Sequence, residues 1–174
     1  MSYNILGINP GHNGSACLVS DGELKYYLEE ERLSRMKYDG NPFKSMIDIM
    51  SKYHVDELVI VGTYPDHPTL PWTMEDVYTG LVRKYYPNVK TTLLGQEHHL
   101  THASCAFYNS GFKKAVAVIV DGAGTYKDIN MNEEGSVKAK GCETESVWTC
   151  EYPSKFTVLH KVFGDNTQNR MVNE

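Results

Sequence analysis

Apolar residues along the chain fall in short blocks, set apart by polar breaks that carry glycine, proline, asparagine or aspartate. Ile5-Leu6-Gly7-Ile8, within Asn4 to Asn9, reads as a short buried strand closed by the turn signal Pro10-Gly11. Gly14 to Ser20 is a second strand of small and apolar residues, followed by Asp21-Gly22, a strong hairpin signal. Glu23 to Arg32 is a third strand candidate, so the chain opens as an antiparallel meander. After a polar loop, Pro42 suits the first turn of a helix, and Phe43, Met46, Ile47, Ile49 and Met50 have helical spacing toward an end near His54. Leu58-Val59-Ile60-Val61 is a continuous apolar run typical of a strand buried on both faces. A proline-rich loop over 64–71 precedes a helix at Thr73 to Tyr86, a short strand at Thr91 to Gly95 and a helix at Gln96 to Ser110, with Gly111 just past its end. Ala115 to Val120 is another buried strand. Ser146 to Cys150 and Phe156 to Val162 form a second set, and the last dozen residues read as a polar, poorly ordered tail. A meander followed by alternating helices and strands predicts an α/β fold, a mixed sheet with helices packed on it.

Composition narrows the function classes. The 174 residues carry 22 acidic and 17 basic side chains, for a net charge of −5, which argues against a nucleic-acid backbone as partner. No apolar run approaches the roughly 18–20 residues of a membrane span, and Met1-Ser2-Tyr3-Asn4 does not open a secretory signal. The cysteines, Cys17, Cys105, Cys142 and Cys150, form no Cys-x-x-Cys and read as free thiols of a cytoplasmic protein, although Cys142 and Cys150 are close enough in sequence to face each other across a hairpin.

Four stretches could carry chemistry. His98 and His102 lie one turn apart on the predicted helix, the i, i+4 spacing at which two imidazoles close on one metal ion, and Asp121 at a strand end could add an oxygen ligand. Seven histidines in the chain also make a chance pair credible. His99 falls on the neighbouring face, as a supporting or solvent-facing residue. The Gly11-His12-Asn13-Gly14 turn could bring backbone amides to an anion and present His12 as an acid or base, or be a plain β-turn. Asp121-Gly122-Ala123-Gly124 could hold a metal or touch a phosphate, or be a capped tight turn. Arg32, Arg35 and Lys37 could clamp an anionic group or belong to a solvated charged face.

Together these strings resemble the N-terminal domain of the nodulation-type and antibiotic-type O-carbamoyltransferases. The resemblance rests on Asn4 to Ile8 with Gly11 to Ala16, on Glu30 to Lys37, on His98-His99-Leu100-Thr101-His102-Ala103 with Ala106-Phe107-Tyr108, and on Val120 to Gly124. It covers roughly residues 3–125 in register. The element order is likewise similar to a ribonuclease-H-like lobe of the actin and sugar-kinase type, with the second lobe missing. The resemblance implies a carbamoyltransferase-type lobe over 1–125 and a strand-containing extension over 126–174. It implies a divalent metal on His98, His102 and Asp121, iron with zinc or manganese as alternatives. It also implies ATP, met by Gly11, Asn13, Arg32, Arg35, Lys37, Gly122 and Gly124, and transfer of a carbamoyl group from ATP-activated carbamoyl phosphate to a hydroxyl of a small molecule, assisted by His12. Asn13 and Thr125 stand where the family has acidic residues, and no further aspartate ligand is evident. Family members are several times longer, so the chain is expected to act with a second chain that supplies the missing lobe, or as a homo-oligomer. A catalytically degenerate binding or regulatory domain and a phosphotransferase of the same fold are the alternatives.

Overall fold

Alternating burial along Asn4–Asn9, with Leu6 and Ile8 inside and their neighbours half-covered, makes this segment (β1) the centre of a sheet. The computed structural model describes residues 2–11, 13–61, 74–130, 138–165 and 171–173. Within it the chain divides into two compact units, Met1–Gly95 and Gln96–Glu174. The division expected after residue 125 thus falls inside the second unit.

In the first unit, β1 pairs antiparallel with β2 (Ser15–Ser20), and β2 with β3 (Glu23–Glu29). On its other side β1 pairs parallel with β4 (Glu57–Val61), which pairs parallel with β5 (Lys90–Leu94). The order β3-β2-β1-β4-β5 is the mixed sheet predicted from the apolar blocks. Helix α2 (Phe43–Met50) and α3 (Met74–Tyr85) bring Met46, Ile49, Tyr78 and Val82 onto Leu6, Ile8, Leu18, Leu58 and Ile60, all essentially inaccessible. Each of these aliphatic side chains contributes about 1.5–3 kcal/mol of transfer free energy.

One predicted strand is shortened. Beyond Glu29 the chain turns into a short helix, α1 (Glu30–Ser34), ended by Arg35 in the left-handed region at φ 62°. Glu30 explains the change of direction. It is 2% exposed, and its carboxylate accepts from the Lys44 and Ser45 backbone N–H groups (3.1 and 2.9 Å) and from Ser45 Oγ (2.9 Å), so it closes the open N-terminus of α2. A continued strand could not deliver the carboxylate there.

The second unit is a sheet of order β10-β9-β8-β6, with β7 also paired to β8 and every pairing antiparallel. Its strands are β6 (Lys114–Val120), β7 (Tyr126–Asn130), β8 (Lys138–Glu151), β9 (Lys155–Asp165) and β10 (Met171–Asn173). The polar stretch after Thr125 therefore supplies β7 and the first part of β8, and part of the expected tail pairs with β9 as β10. Cys142 and Cys150 lie on one strand, so they do not face each other across a hairpin. Helix α4 (His98–Ser110), ended by Gly111 at φ 76°, lays Ala103 and Phe107 on Trp148 and Cys150, with Ala115, Ala117 and Ile119 of β6 beside them. β6 was expected to be buried. Instead α4 covers only one of its faces, and Val116, Val118 and Val120 on the other are 61%, 66% and 75% exposed.

Candidate functional site

On α4, residues four apart stand one above the other, and His98 and His102 both face the end of β6, where Asp121 follows Val120. His98 Nε2 lies 2.7 Å from Asp121 Oδ2, His102 Nε2 3.5 Å from the same oxygen, and the two ring nitrogens 3.0 Å apart. One donor atom from each residue falls within 4.8 Å of the others. Two atoms each about 2.1 Å from a common ion and 90–110° apart are separated by about 3.0–3.4 Å. The observed spacings bracket that value, and two imidazoles with one carboxylate suit a divalent transition metal.

The setting of Asp121 favours the charged form. Burial pushes its carboxyl up, but the hydrogen bonds with His98 and from the Gly122 N–H to Oδ1 (2.6 Å) prevail, and it sits below its ordinary value. Oδ1 is thereby engaged and Oδ2 left toward the histidines. The Asp121 N–H donates to Thr144 O at 2.8 Å, and the Gly124 N–H to Glu143 O at 2.7 Å. Thr125 Oγ1 accepts from the His98 N–H at 3.3 Å, near the start of α4. A cavity of about 280 Å³ opens beside the group, lined by His102, Ala106, Val118, Ile119, Val120 and Asp121.

Beneath the triad is a layer the sequence did not announce. His99 is fully buried, so it is not solvent-facing, and burial holds its imidazole below the usual pKa. Its Nδ1 is 2.8 Å from Ser146 Oγ, which also accepts from Trp148 Nε1 at 2.8 Å. Glu143, 1% exposed, pairs with Lys161 and accepts from the Thr125 N–H at 3.1 Å. Burial raises the Glu143 carboxyl, but these two partners outweigh it and the net shift is downward. Only the adjacency of His99 to His98 was a local clue. Ser146, Glu143 and Lys161 arrive through strand register.

Gly122 and Gly124 differ. Gly122 has open space where a side chain would be, whereas a Cβ on Gly124 would come within 2.9 Å of both His99 and Glu143.

The other expected site residues belong to the first unit. Asn13 has φ 62° and Gly11 φ 123°, and their turn is stitched to the following loop by Gly11 N–H to Gly40 O (2.8 Å) and Gly14 N–H to Asp39 O (2.9 Å). His12 lies outside the described residues. Arg32 is 3.2 Å from Glu29 and 3.6 Å from Glu31, Arg35 ends α1, and the Lys37 ammonium sits 5.2 Å from the Tyr38 ring centroid.

No family model matches the chain. It is similar to an uncharacterized protein of Methanocaldococcus jannaschii, 31% identical over 124 residues, which covers 69% of this chain and 22% of that protein. It is similar to nodulation protein NolNO of Sinorhizobium fredii, 28% identical over 138 residues, covering 66% of this chain and 20% of NolNO. An uncharacterized protein of Synechocystis is 26% identical over 196 aligned positions, covering 92% of this chain and 31% of that protein. The chain thus spans between a fifth and a third of the length of these curated relatives. No helix among the described residues is long and apolar enough to cross a membrane.

Proposed function

We propose that the chain is a carbamoyltransferase-type module whose metal centre is His98, His102 and Asp121. The observation that carries the reading is the convergence of these three donor atoms, from a helix and a strand end, within 4.8 Å. Similarity to nodulation protein NolNO supports it, and the strand order β3-β2-β1-β4-β5 supports a ribonuclease-H-like first lobe. A divalent ion here, iron with zinc or manganese as alternatives, supplies Lewis-acid polarisation when bound. The chain's own contribution is positional and electrostatic. His98 and His102 offer Nε2 lone pairs, Asp121 is kept ionised, and the Gly122 N–H fixes the carboxylate plane. In this reading the donor is ATP-activated carbamoyl phosphate, the acceptor is a hydroxyl of a small molecule, and His12 takes the hydroxyl proton. Arg32, Arg35 and Lys37 are the residues proposed to meet anionic groups of the donor. The partner proposed for this chain is a chain or domain that presents a facing second lobe.

The test has two parts. Metal analysis of the purified chain should find one ion per chain, and His102→Ala should lose it. The chain mixed with a candidate second-lobe chain, ATP, labelled carbamoyl phosphate and hydroxyl acceptors should give a carbamoylated product in an ATP-dependent manner. No such product with any partner, from protein that retains its metal, refutes the transferase reading and leaves a binding or regulatory domain. That second reading is favoured by one feature, the bare row Val116, Val118 and Val120, which suits contact with another polypeptide.

A further inference from the structure

We infer that His99, through Ser146, is a positioning residue that sets the rotation of α4 and so brings the His98 and His102 nitrogens onto Asp121. The inference rests on the metal reading of that triad and extends it to a residue with no ligand role.

Successive residues on an α-helix point about 100° apart, so His99 turns into the unit while His98 and His102 face the end of β6. The apolar residues that bury α4, chiefly Ala103 and Phe107, fix its distance from the sheet. Packing of this kind is non-directional and leaves a small roll about the helix axis weakly opposed. A hydrogen bond is directional. One joins His99 Nδ1 and Ser146 Oγ on β8 at 2.8 Å, and Ser146 Oγ itself accepts from the Trp148 indole N–H at 2.8 Å. The other edge of the ring lies against the Gly124 backbone. A Cβ at Gly124 would be 2.8 Å from His99 Cδ2 and 2.9 Å from Nε2, and Nε2 is buried with no hydrogen-bond partner among the described residues. That unpartnered nitrogen is tolerated where the ring must fill the space beneath the loop that carries Asp121. His99 therefore braces the helix that bears two donors and the segment, three residues on, that bears the third.

Small rotations matter here. A helix with side chains has a radius of about 5–6 Å, so a 10° roll carries a side-chain tip about 1 Å. Metal–ligand distances tolerate about 0.2 Å. Loss of the His99 brace should therefore act on metal affinity more than on folding.

The experiment titrates metal-free wild type, Ser146→Ala, His99→Phe and His102→Ala with cobalt(II). Visible absorption reports the ligand field, and urea unfolding of each metal-free protein reports stability. Ser146→Ala removes a single hydroxyl and carries the test even if His99→Phe does not fold. The expected result is one tight cobalt in wild type, none in His102→Ala, and affinity at least tenfold weaker with an altered spectrum in Ser146→Ala. A purely structural role would lower the urea midpoint and leave the affinity of folded protein and the spectrum unchanged, and that result overturns the inference while the metal centre stands. Absence of a tight ion from wild type overturns the metal centre and this inference with it.

Discussion

Replacement of Glu30 should weaken the first unit out of proportion to its place in a charged run. Glu30 Oε1 accepts from the Lys44 N–H, and Oε2 accepts from both the N–H and the Oγ of Ser45, which is fully buried. In Glu30→Ala, the Ser45 N–H loses its partner away from water, at about 1–3 kcal/mol. The Lys44 N–H is only partly buried, so water can replace the carboxylate there at about 1 kcal/mol or less. Ser45 Oγ retains Pro42 O at 3.0 Å and costs little. The expected total is about 1–4 kcal/mol, a large share of the roughly 5–15 kcal/mol that holds a domain together. Glu30→Gln keeps one acceptor oxygen, which satisfies Ser45, and turns its NH₂ toward the half-exposed Lys44 side, so about 1–2 kcal/mol is expected. Urea unfolding followed by circular dichroism gives the totals, and amide exchange at Ser45 should accelerate in both variants, more in the alanine. If both variants unfold within about 0.5 kcal/mol of wild type with Ser45 exchange unchanged, the carboxylate does not cap α2 and the reasoning is refuted.

The remaining predictions concern the second unit. Glu143 has its folded-state pKa lowered, so its contribution to stability is present above the unfolded value of about 4.3 and is lost as pH falls through the folded value. Lys161→Met leaves the carboxylate buried without its cation and raises its pKa, so the sign reverses; urea midpoints across pH 3–7 should then show the variant relatively more stable near the acid end than at neutrality, and an unchanged pH profile would count against the ion pair. Val118→Thr, on the bare face of β6, should cost under about 0.5 kcal/mol, whereas Ala117→Asp, beneath α4, should cost several; equal effects in thermal melts would mean that both faces are covered. Asp121→Asn keeps the shape of the ligand and removes its charge, so zinc or cobalt affinity measured by competition with a chelator should fall by tenfold or more, and no fall would remove Asp121 from the donor set.

The fold was most legible where burial and periodicity agree. Leu6 and Ile8 alternate with half-covered neighbours, and Leu58 to Val61 is apolar throughout, so β1 and β4 could be read directly. The triad was legible because a helix spacing and a strand end are both local patterns. Glu29 to Arg32 hid the turn into α1, since the donors that hold the Glu30 carboxylate, the Lys44 and Ser45 N–H groups at the start of α2, lie 14–15 residues away. β7 and the start of β8 were obscured because Tyr126 to Asn130 and Lys138 to Gly141 carry no alternating apolar pattern in the sequence. The pairing of His99 with Ser146 spans 47 residues and depends on the register of β8, which no local pattern encodes.

The loop that carries Asp121 is barely a loop. Its backbone N–H groups at Asp121 and Gly124 donate into β8, and Glu143 returns a bond to Thr125 O at 3.0 Å, so the segment is clamped along the strand before any ligand arrives. A ligand entering here orders little that is not already ordered. Its arrival therefore forfeits little conformational entropy in this segment, and no rearrangement of these residues need precede binding.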